Sequence, residues 1–469
     1  MKRILIPALF LLALPLVAAG QTLQQLQGAD ERYKTDILVV VAHPDDEGAV
    51  TPYLARAIYD LHKRVAVVYG TRGGSGGNDY RDEHGPALAD VREIEARQAC
   101  AALGISHVWF LGGKDTASQN VLNSLANWGH GENLEALVRI VRLTRPEVII
   151  TWLPGVFVGE NHGDHQASGV LATEAFDLAA DPTVFPAQVA GASKRLEPYL
   201  ENLAPWQTKK IYYFSDAENE KQFAGSGPAY SVRDISPSQK KPYWRMAIDA
   251  AKPHLTQFPD DIQRLSSMTD EQLDKMMSDP KAGWWTDPAT LIFGKSAIRA
   301  TATDDVFSGI QPGTGLNAST AKERDTREPA AETNGVTLRL AGIWLYYNHF
   351  RIAHGLTNLP AANLPEIGIK AGSTLSIPLQ IAHDDRGTLE VTSKVVAPAG
   401  WKVTAGEGTL LLPAEKITNV RVEIETPELS KDDLKKLPFQ EIVVRVQSSG
   451  KSIGEVQLRV ALRSGGLPQ

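Results

Sequence analysis

The stretch VVVAHPDDEGAV, residues 39–50, sets a histidine and three carboxylates directly after an apolar run, and GENHGDHQASG, residues 159–169, again groups histidine with aspartate. His43 and Asp46 are three residues apart at the mouth of an expected strand, so a tight turn can bring an imidazole and a carboxylate onto one ion. A catalytic zinc takes three protein ligands of nitrogen or oxygen type and leaves a fourth position for water. His165, in the second group, is the candidate for the third ligand, giving a His43, Asp46, His165 set with Zn2+ as the expected cofactor. Cys100 is the only cysteine, which excludes an intramolecular disulfide and a cysteine-held metal cluster. Each of these residues also has a plain structural use. A strand-end histidine can be a hydrogen-bonded core residue, Asp45 or Asp46 a helix N-cap, Glu47 a first-turn charge, and Asp164 and His165 a cap and a solvated helix start. The coincidence of two such groups favours the metal.

Elements must carry these residues to one place. ILVVVA (37–42), VAVVYG (65–70), HVWFLG (107–112) and EVIITW (147–152) alternate with amphipathic stretches through PYLARAIYDLHKR, ADVREIEARQACAALG and ENLEALVRIVRLTR. Strands alternating with helices imply an α/β fold, a mostly parallel sheet with helices on both faces. KKIYYFS (209–215) extends that sheet. Ligands of such sheets bind beyond the carboxyl ends of the strands, where both groups fall. From about residue 366 the period changes to two, with turns at ~8–12-residue spacing, which indicates a C-terminal all-β sandwich of immunoglobulin-like type.

At 469 residues the chain exceeds the ~250–300 at which one core stops growing. The expected division is a leader at 1–20, an α/β domain at 21–335 with an extension of uncertain structure at 216–335, a connector at 336–365 and the sandwich at 366–469. Lys2 and Arg3, then ILIPALFLLALPLVAA, then Ala18, Ala19 and Gly20 read as a secretory signal peptide cleaved near Gln21. The alternative, an uncleaved anchor, is disfavoured by an apolar stretch shorter than the ~20 residues of a spanning helix and by its two prolines. The expected location is secreted or periplasmic, with no stable membrane span after cleavage. A formal charge of −7 without a long Lys/Arg run excludes nucleic acid as an expected partner. A small, weakly charged ligand fits better.

AHPDDE followed about 120 residues later by HGDH resembles the PIG-L/LmbE-like family of zinc-dependent deacetylases, over roughly residues 30 to 260. The resemblance implies a Rossmann-like α/β fold, with His43, Asp46 and His165 as zinc ligands and Asp45 as general base. It gives His162 the task of steadying the tetrahedral intermediate or protonating the departing amine, as an imidazolium, and Asp164 the orienting of a neighbouring imidazole. It also implies a substrate, an N-acetylglucosaminyl or other N-acetylated amino-sugar compound of small or oligosaccharide size. Arg92, at the start of a helix, corresponds to the family arginine directed into the site and would hold the acyl oxygen or a sugar hydroxyl; its plain alternative is pairing with Glu93 or Glu95 on the helix surface. Arg72 and Asp115 are weaker candidates of the same sort. His254 in HLTQ is similar to a late family H-x-S-Q element, with Thr256 where serine is expected. The glycine-rich loop GTRGGSGGNDYRDEHG (70–85) could approach a ligand, and lacks the spacing of a dinucleotide site. The tryptophans of GWWTDP could stack on a sugar, core packing being their commoner use. The sandwich resembles accessory modules of secreted carbohydrate-active proteins and could contact glycan. The alternatives are a zinc amidase or esterase for another acyl group, and an inactive secreted glycan-binding protein.

Overall fold

Ile37–Val41 and Val148–Trp152 are short, rich in β-branched residues and buried at every position, the character of central strands covered on both faces. The computed structural model describes residues 30–159, 162–191, 200–217, 225–278, 288–311, 336–359, 365–383, 387–414 and 416–464. The leader, the tryptophan pair of GWWTDP and the segment 314–335 lie outside them. In chain order the first part contains β1 (Ile37–Val41), α1 (Thr51–Tyr59), β2 (Val65–Thr71), α2 (Pro86–Ala102), β3 (His107–Gly113), α3 (Val121–Trp128), α4 (His130–Thr144), β4 (Val148–Trp152), α5 (Gly163–Leu178) and β5 (Lys210–Phe214). It continues with β6 (Ala229–Tyr230), α6 (Tyr243–Ala251), α7 (Pro259–Ser267), α8 (Asp270–Met277), β7 (Ala289–Thr290) and β8 (Ile292–Ser296).

The main sheet has the order β3-β2-β1-β4-β5-β8. Its first five strands are parallel and β8 runs antiparallel to β5. Successive strand side chains point to opposite faces, so Leu38, Val40, Ala66 and Val68 enter one core while Ile37, Val39, Val41, Val65 and Val67 enter the other. The strand order reverses between β1 and β4, and the crevice beyond their carboxyl ends is where a doubly wound sheet accepts ligands. The 216–335 stretch is less separate than its sequence suggests: β8 completes the main sheet and α6 packs against α1.

The second part holds β9 (Val336–Leu340), α9 (Ile343–Ala353), β10 (Glu366–Lys370), β11 (Thr374–His383), β12 (Leu389–Val396), β13 (Lys402–Ala405), β14 (Gly408–Leu412), β15 (Lys416–Glu425), β16 (Gln440–Ser448) and β17 (Lys451–Arg463). They form two sheets, β10-β17-β16-β12-β14 and β13-β15-β11-β9. All pairings are antiparallel except β10 with β17. Ile377, Leu379, Val422 and Ile424 of one sheet meet Ile442, Val444, Leu458 and Val460 of the other in one apolar layer. This part begins earlier than expected. Val336–Leu340, expected within the connector at 336–365, belong to a sheet, because β9 pairs with β11 over those residues; five residues beside a polar linker carry too little alternation to announce a strand.

Trp344, Tyr347 and Phe350 of α9 share a core with Val156 and Phe157, on the segment that leads from β4 to the second histidine group. A Cβ on Gly155 would lie 3.3 Å from the Tyr347 ring. Polar groups close the same junction. Asp177 of α5 accepts hydrogen bonds from His354 Nδ1 at 2.6 Å and Lys295 Nζ at 2.5 Å, and Lys295 also donates to the His354 carbonyl at 2.8 Å. Burial alone would raise the Asp177 pKa, but His354 and Lys295 outweigh it and the net direction is down.

A carboxylate depressed in the folded state contributes stability that is complete above its unfolded pKa and is lost as pH falls through the folded one. Asp177→Asn is therefore expected to cost about 1–3 kcal/mol at pH 7, with the difference from wild type fading below about pH 4. Denaturant unfolding across pH 2–7 checks both the size and the sign. Among the described residues no helix is long and apolar enough to cross a membrane.

Candidate functional site

β1 ends at Val41 and the chain turns sharply through His43, Pro44 and Asp45, with the Asp46 N–H donating to the His43 carbonyl at 3.3 Å and the Gly48 N–H to the Asp45 carbonyl at 2.8 Å. Asp46 is the residue around which the turn is built. Its Oδ2 accepts the N–H groups of Ala42 at 2.8 Å and His43 at 2.9 Å, and the Trp152 Nε1–H at 3.0 Å. With Oδ2 saturated, Oδ1 faces His165 Nε2 at 3.1 Å and His43 Nδ1 at 3.6 Å. Ligand atoms each ~2.1 Å from a tetrahedral ion lie about 3.4 Å apart, so these separations suit a shared cation. The donor set of two nitrogens and one oxygen is also the kind zinc takes.

The imidazoles of residues 43 and 165 face one another, with ring centroids 5.1 Å apart, and His162 lies 5.0 Å from the first and 4.1 Å from the second. One nitrogen from each of the three histidines fits within a single metal-sized group. His165 stacks on Trp152 at 4.2 Å with 5° between the planes, and its Nδ1 is buried without a hydrogen-bond partner. Burial works against charge on His43, yet Asp46, Asp115 and Asp164 together raise its pKa well above the usual histidine range. Asp46 moves the opposite way, held well below the carboxylate range by His165 and His43 in spite of burial. The negative field that retains a proton on His43 is one that favours a cation.

Asp164 is completely buried, with Oδ2 accepting the Thr116 N–H at 2.9 Å and lying 3.4 Å from His43 Nε2. Asp115 was expected as a substrate contact. Instead its Oδ1 lies 3.2 Å from the same His43 nitrogen while Oδ2 accepts the Ser75 N–H at 2.7 Å. It sits just past β3, at the same end of the sheet as the two histidine groups, and that position was the signal available in the sequence. His162 caps α5, its Nδ1 accepting the Asp164 N–H at 3.4 Å. Burial and the flanking imidazoles of His165 and His43 push its pKa well below the ordinary value. With Nδ1 accepting, Nε2 is the nitrogen left to carry a proton, and burial between two imidazoles disfavours the expected imidazolium.

Asp45 stands beside this cluster without joining it. Its backbone has φ 110°, a region that costs a non-glycine residue about 1–3 kcal/mol and persists only where the surroundings hold it. Burial raises the Asp45 pKa to about 6, the neighbouring Arg92 guanidinium pulling the other way. Arg92 is buried, and donates to the Pro44 carbonyl at 2.6 Å, Asp45 Oδ2 at 3.1 Å and the Gly73 carbonyl at 2.9 Å. It therefore holds Asp45 and the glycine-rich loop, where a substrate contact had been expected. The glycines serve the same contact, since a Cβ on Gly73 or Gly76 would come within 2.6 or 2.7 Å of the guanidinium. Arg72, expected as a substrate contact, is not brought into the cluster and pairs elsewhere. Thr71 turns inward onto the Ala42 carbonyl, and the next residue faces outward, where its guanidinium pairs with Asp90 and Glu93 of α2.

Glu47, His254 and the Glu95–Thr256 pair form a further buried layer. Glu47 Oε1 is 2.7 Å from His254 Nε2, and Glu95 accepts from the Thr256 N–H at 3.0 Å and hydroxyl at 2.6 Å. The HLTQ stretch was the sequence trace of this layer, with threonine filling the hydroxyl position.

Comparison with known proteins fits this geometry. Residues 38–176 match the family described as PIG-L, GlcNAc-PI de-N-acetylase. These residues are a PIG-L domain. The match runs from the second residue of β1 to near the end of α5 and takes in every residue of the cluster. A 1D-myo-inositol 2-acetamido-2-deoxy-alpha-D-glucopyranoside deacetylase 1 of Frankia alni is 34% identical over 36% of this chain and 59% of its own length. The corresponding deacetylase of Thermobifida fusca is 28% identical over 47% of this chain and 82% of its own. The match thus spans about three fifths of the Frankia protein. A solved N,N'-diacetylchitobiose deacetylase from Pyrococcus horikoshii is similar at 20% identity, with a TM-score of 0.38 over 55% of this chain and 83% of that one.

The two neighbouring aspartates of the PIG-L domain should separate in a metal titration. Asp46→Asn keeps an acceptor for the Ala42, His43 and Trp152 N–H groups but loses the anionic Oδ1, and is expected to weaken Zn2+ binding at least about 10²-fold. Asp45→Asn should stay within about threefold of wild type. Competition with a chelating dye measures both.

Proposed function

We propose that this protein is a zinc-dependent N-deacetylase that hydrolyses the acetamido group of an N-acetylglucosaminyl compound, releasing acetate and an amine. The observation that carries the proposal is a partly buried carboxylate, Asp45, held by Arg92 beside a His43, Asp46, His165 set without entering it. The PIG-L match and relatives named as deacetylases of a 2-acetamido-2-deoxy sugar linked to inositol support the substrate class.

His43, Asp46 and His165 would hold the ion. When bound, it would supply Lewis-acid polarisation of the acyl group and acidify water at its open position. The remaining chemistry belongs to the chain. Asp45, with its pKa raised to about 6, is basic enough to take a proton from the attacking water and acidic enough to return it to the departing amine. Neutral His162 offers its Nε2–H to the oxygen on which negative charge develops. Asp115 and Asp164 hold the far nitrogen of His43 and so fix its ring. We further propose export, from the leader-like composition of residues 1–20. A glycan contact by the sandwich would fall on its outer faces, because the inner faces and α9 are engaged in packing.

The test is acetate release from N-acetylglucosamine, its inositol glycoside and chito-oligomers by metal-replete protein. Turnover on at least one of them should vanish with a chelator and return with Zn2+. Asp45→Asn should lower kcat about 10²–10⁴-fold with zinc retained. Absence of acetate release from every N-acetylated amino sugar would overturn the proposal.

A further inference from the structure

The turn at Asp45 is an expensive feature that Arg92 grips from one side only. Arg92 reaches the Asp45 carboxylate and the preceding carbonyl of Pro44, leaving the Asp45 amide to a different partner. That partner is Glu47, whose Oε2 accepts the Asp45 N–H at 3.1 Å. Glu47 Oε1 is in turn 2.7 Å from His254 Nε2, and the two side chains are 4% and 3% exposed. His254 Nδ1 is buried and makes no hydrogen bond, so Glu47 is the one polar partner its ring has among the described residues.

The pair arrives from two distant segments, and both are anchored. The Thr51 hydroxyl donates to the Glu47 carbonyl at 2.8 Å. On the other side Thr256, two residues past His254, is bound through its N–H and hydroxyl to Glu95. Glu95 lies one turn beyond Arg92 on α2, so a single helix presents the arginine to Asp45 and the glutamate to the His254 segment. Gln257 Nε2 donates to the Gly77 carbonyl at 2.9 Å, and the Asp79 N–H to the Thr256 carbonyl at 3.0 Å, which ties the glycine-rich loop into the same frame.

Taking a carboxylate and an imidazole out of water brings little net stability, and such pairs are better explained where they specify a geometry. Neither residue belongs to the groups that could hold a metal. What Glu47 does touch, with His254 behind it, is the backbone whose φ of 110° decides where the Asp45 carboxylate points.

We propose that Glu47 and His254 are a positioning pair that holds the left-handed turn at Asp45 from its amide side, opposite Arg92, and so aims the base of the deacetylation. The catalytic half of this inference rests on the function proposed above; the conformational half does not. Two measurements on the full-chain protein separate them. The first is backbone amide exchange of residues 43–50 in metal-free protein, which requires neither substrate nor ion. Glu47→Ala and His254→Ala should each speed exchange there at least about tenfold, with peptides from β2 and α4 unchanged. His254→Gln, whose amide can replace Nε2 as a donor, should restore most of the protection.

The second is steady-state kinetics of the zinc-loaded protein. The alanine variants should lose about 10–10²-fold in kcat, with KM within about twofold and full zinc content, and the double variant should be no worse than the weaker single one. Should a variant with alanine fail to fold, Glu47→Met and His254→Leu, which keep the volume and lose the hydrogen bonds, carry the same comparison. Unchanged exchange at 43–50 in folded variants overturns the inference. So does faster exchange with undiminished kcat, or a kcat loss that follows zinc loss. If wild type itself releases no acetate, the proposed function fails while amide exchange still decides whether the pair holds the turn.

Discussion

The saturation of one carboxylate oxygen is the constraint on which the site depends. Asp46 Oδ2 accepts from Ala42, His43 and Trp152, which joins the end of β1 to the end of β4 through a single atom. Those strands are adjacent only because the sheet reverses its order between them. The join fixes the rotamer of Asp46 and directs Oδ1 to the two imidazoles. It also sets Trp152 under His165 as a flat support. A shift of register between β1 and β4 would move every side chain to the opposite face and abolish the join.

Around this centre the protein uses backbone groups and second charges rather than additional ligands. Arg92 occupies the place where a substrate-binding cation was expected and supports the turn at Asp45. In the glycine-rich loop Gly73 and Gly76 give that guanidinium the room their Cβ atoms would fill. Two consecutive aspartates thereby acquire different properties. Asp46 is held far down by histidines, while Asp45 is raised by burial to about 6. The positive φ at Asp45 accompanies the split, with the Asp45 side chain on Arg92 and the Asp46 side chain on the imidazoles.

The all-β part is attached to the site more closely than a tethered module would be. Its helix α9 packs on the 155–158 segment just before His162, and the Asp177, His354 and Lys295 cluster closes the same junction. The 155–158 segment ahead of His162 therefore has one wall from each part of the chain. Local opening of that segment and stability of the interface are coupled by construction.

Much was legible in the sequence because it is local. Period-two runs separated by amphipathic stretches marked β1 to β5 and their helices, and the rule that ligands bind beyond the carboxyl ends of parallel strands placed His43, Asp46 and His165 in one region. The features that escaped depend on long-range pairing. β8 and β9 are short strands recognisable only by their partners β5 and β11. Arg92, Asp115, Glu47 and His254 acquire their tasks from residues 19 to 207 positions away, save for the Glu47 contact with Asp45. The amino-acid sequence alone determined which groups are available and at which end of the sheet they emerge, because residue type and strand periodicity are properties of short segments. Only the tertiary structure decided which carboxylate faces the imidazoles and which stands apart, because that choice is made by hydrogen bonds from distant backbone and side-chain donors.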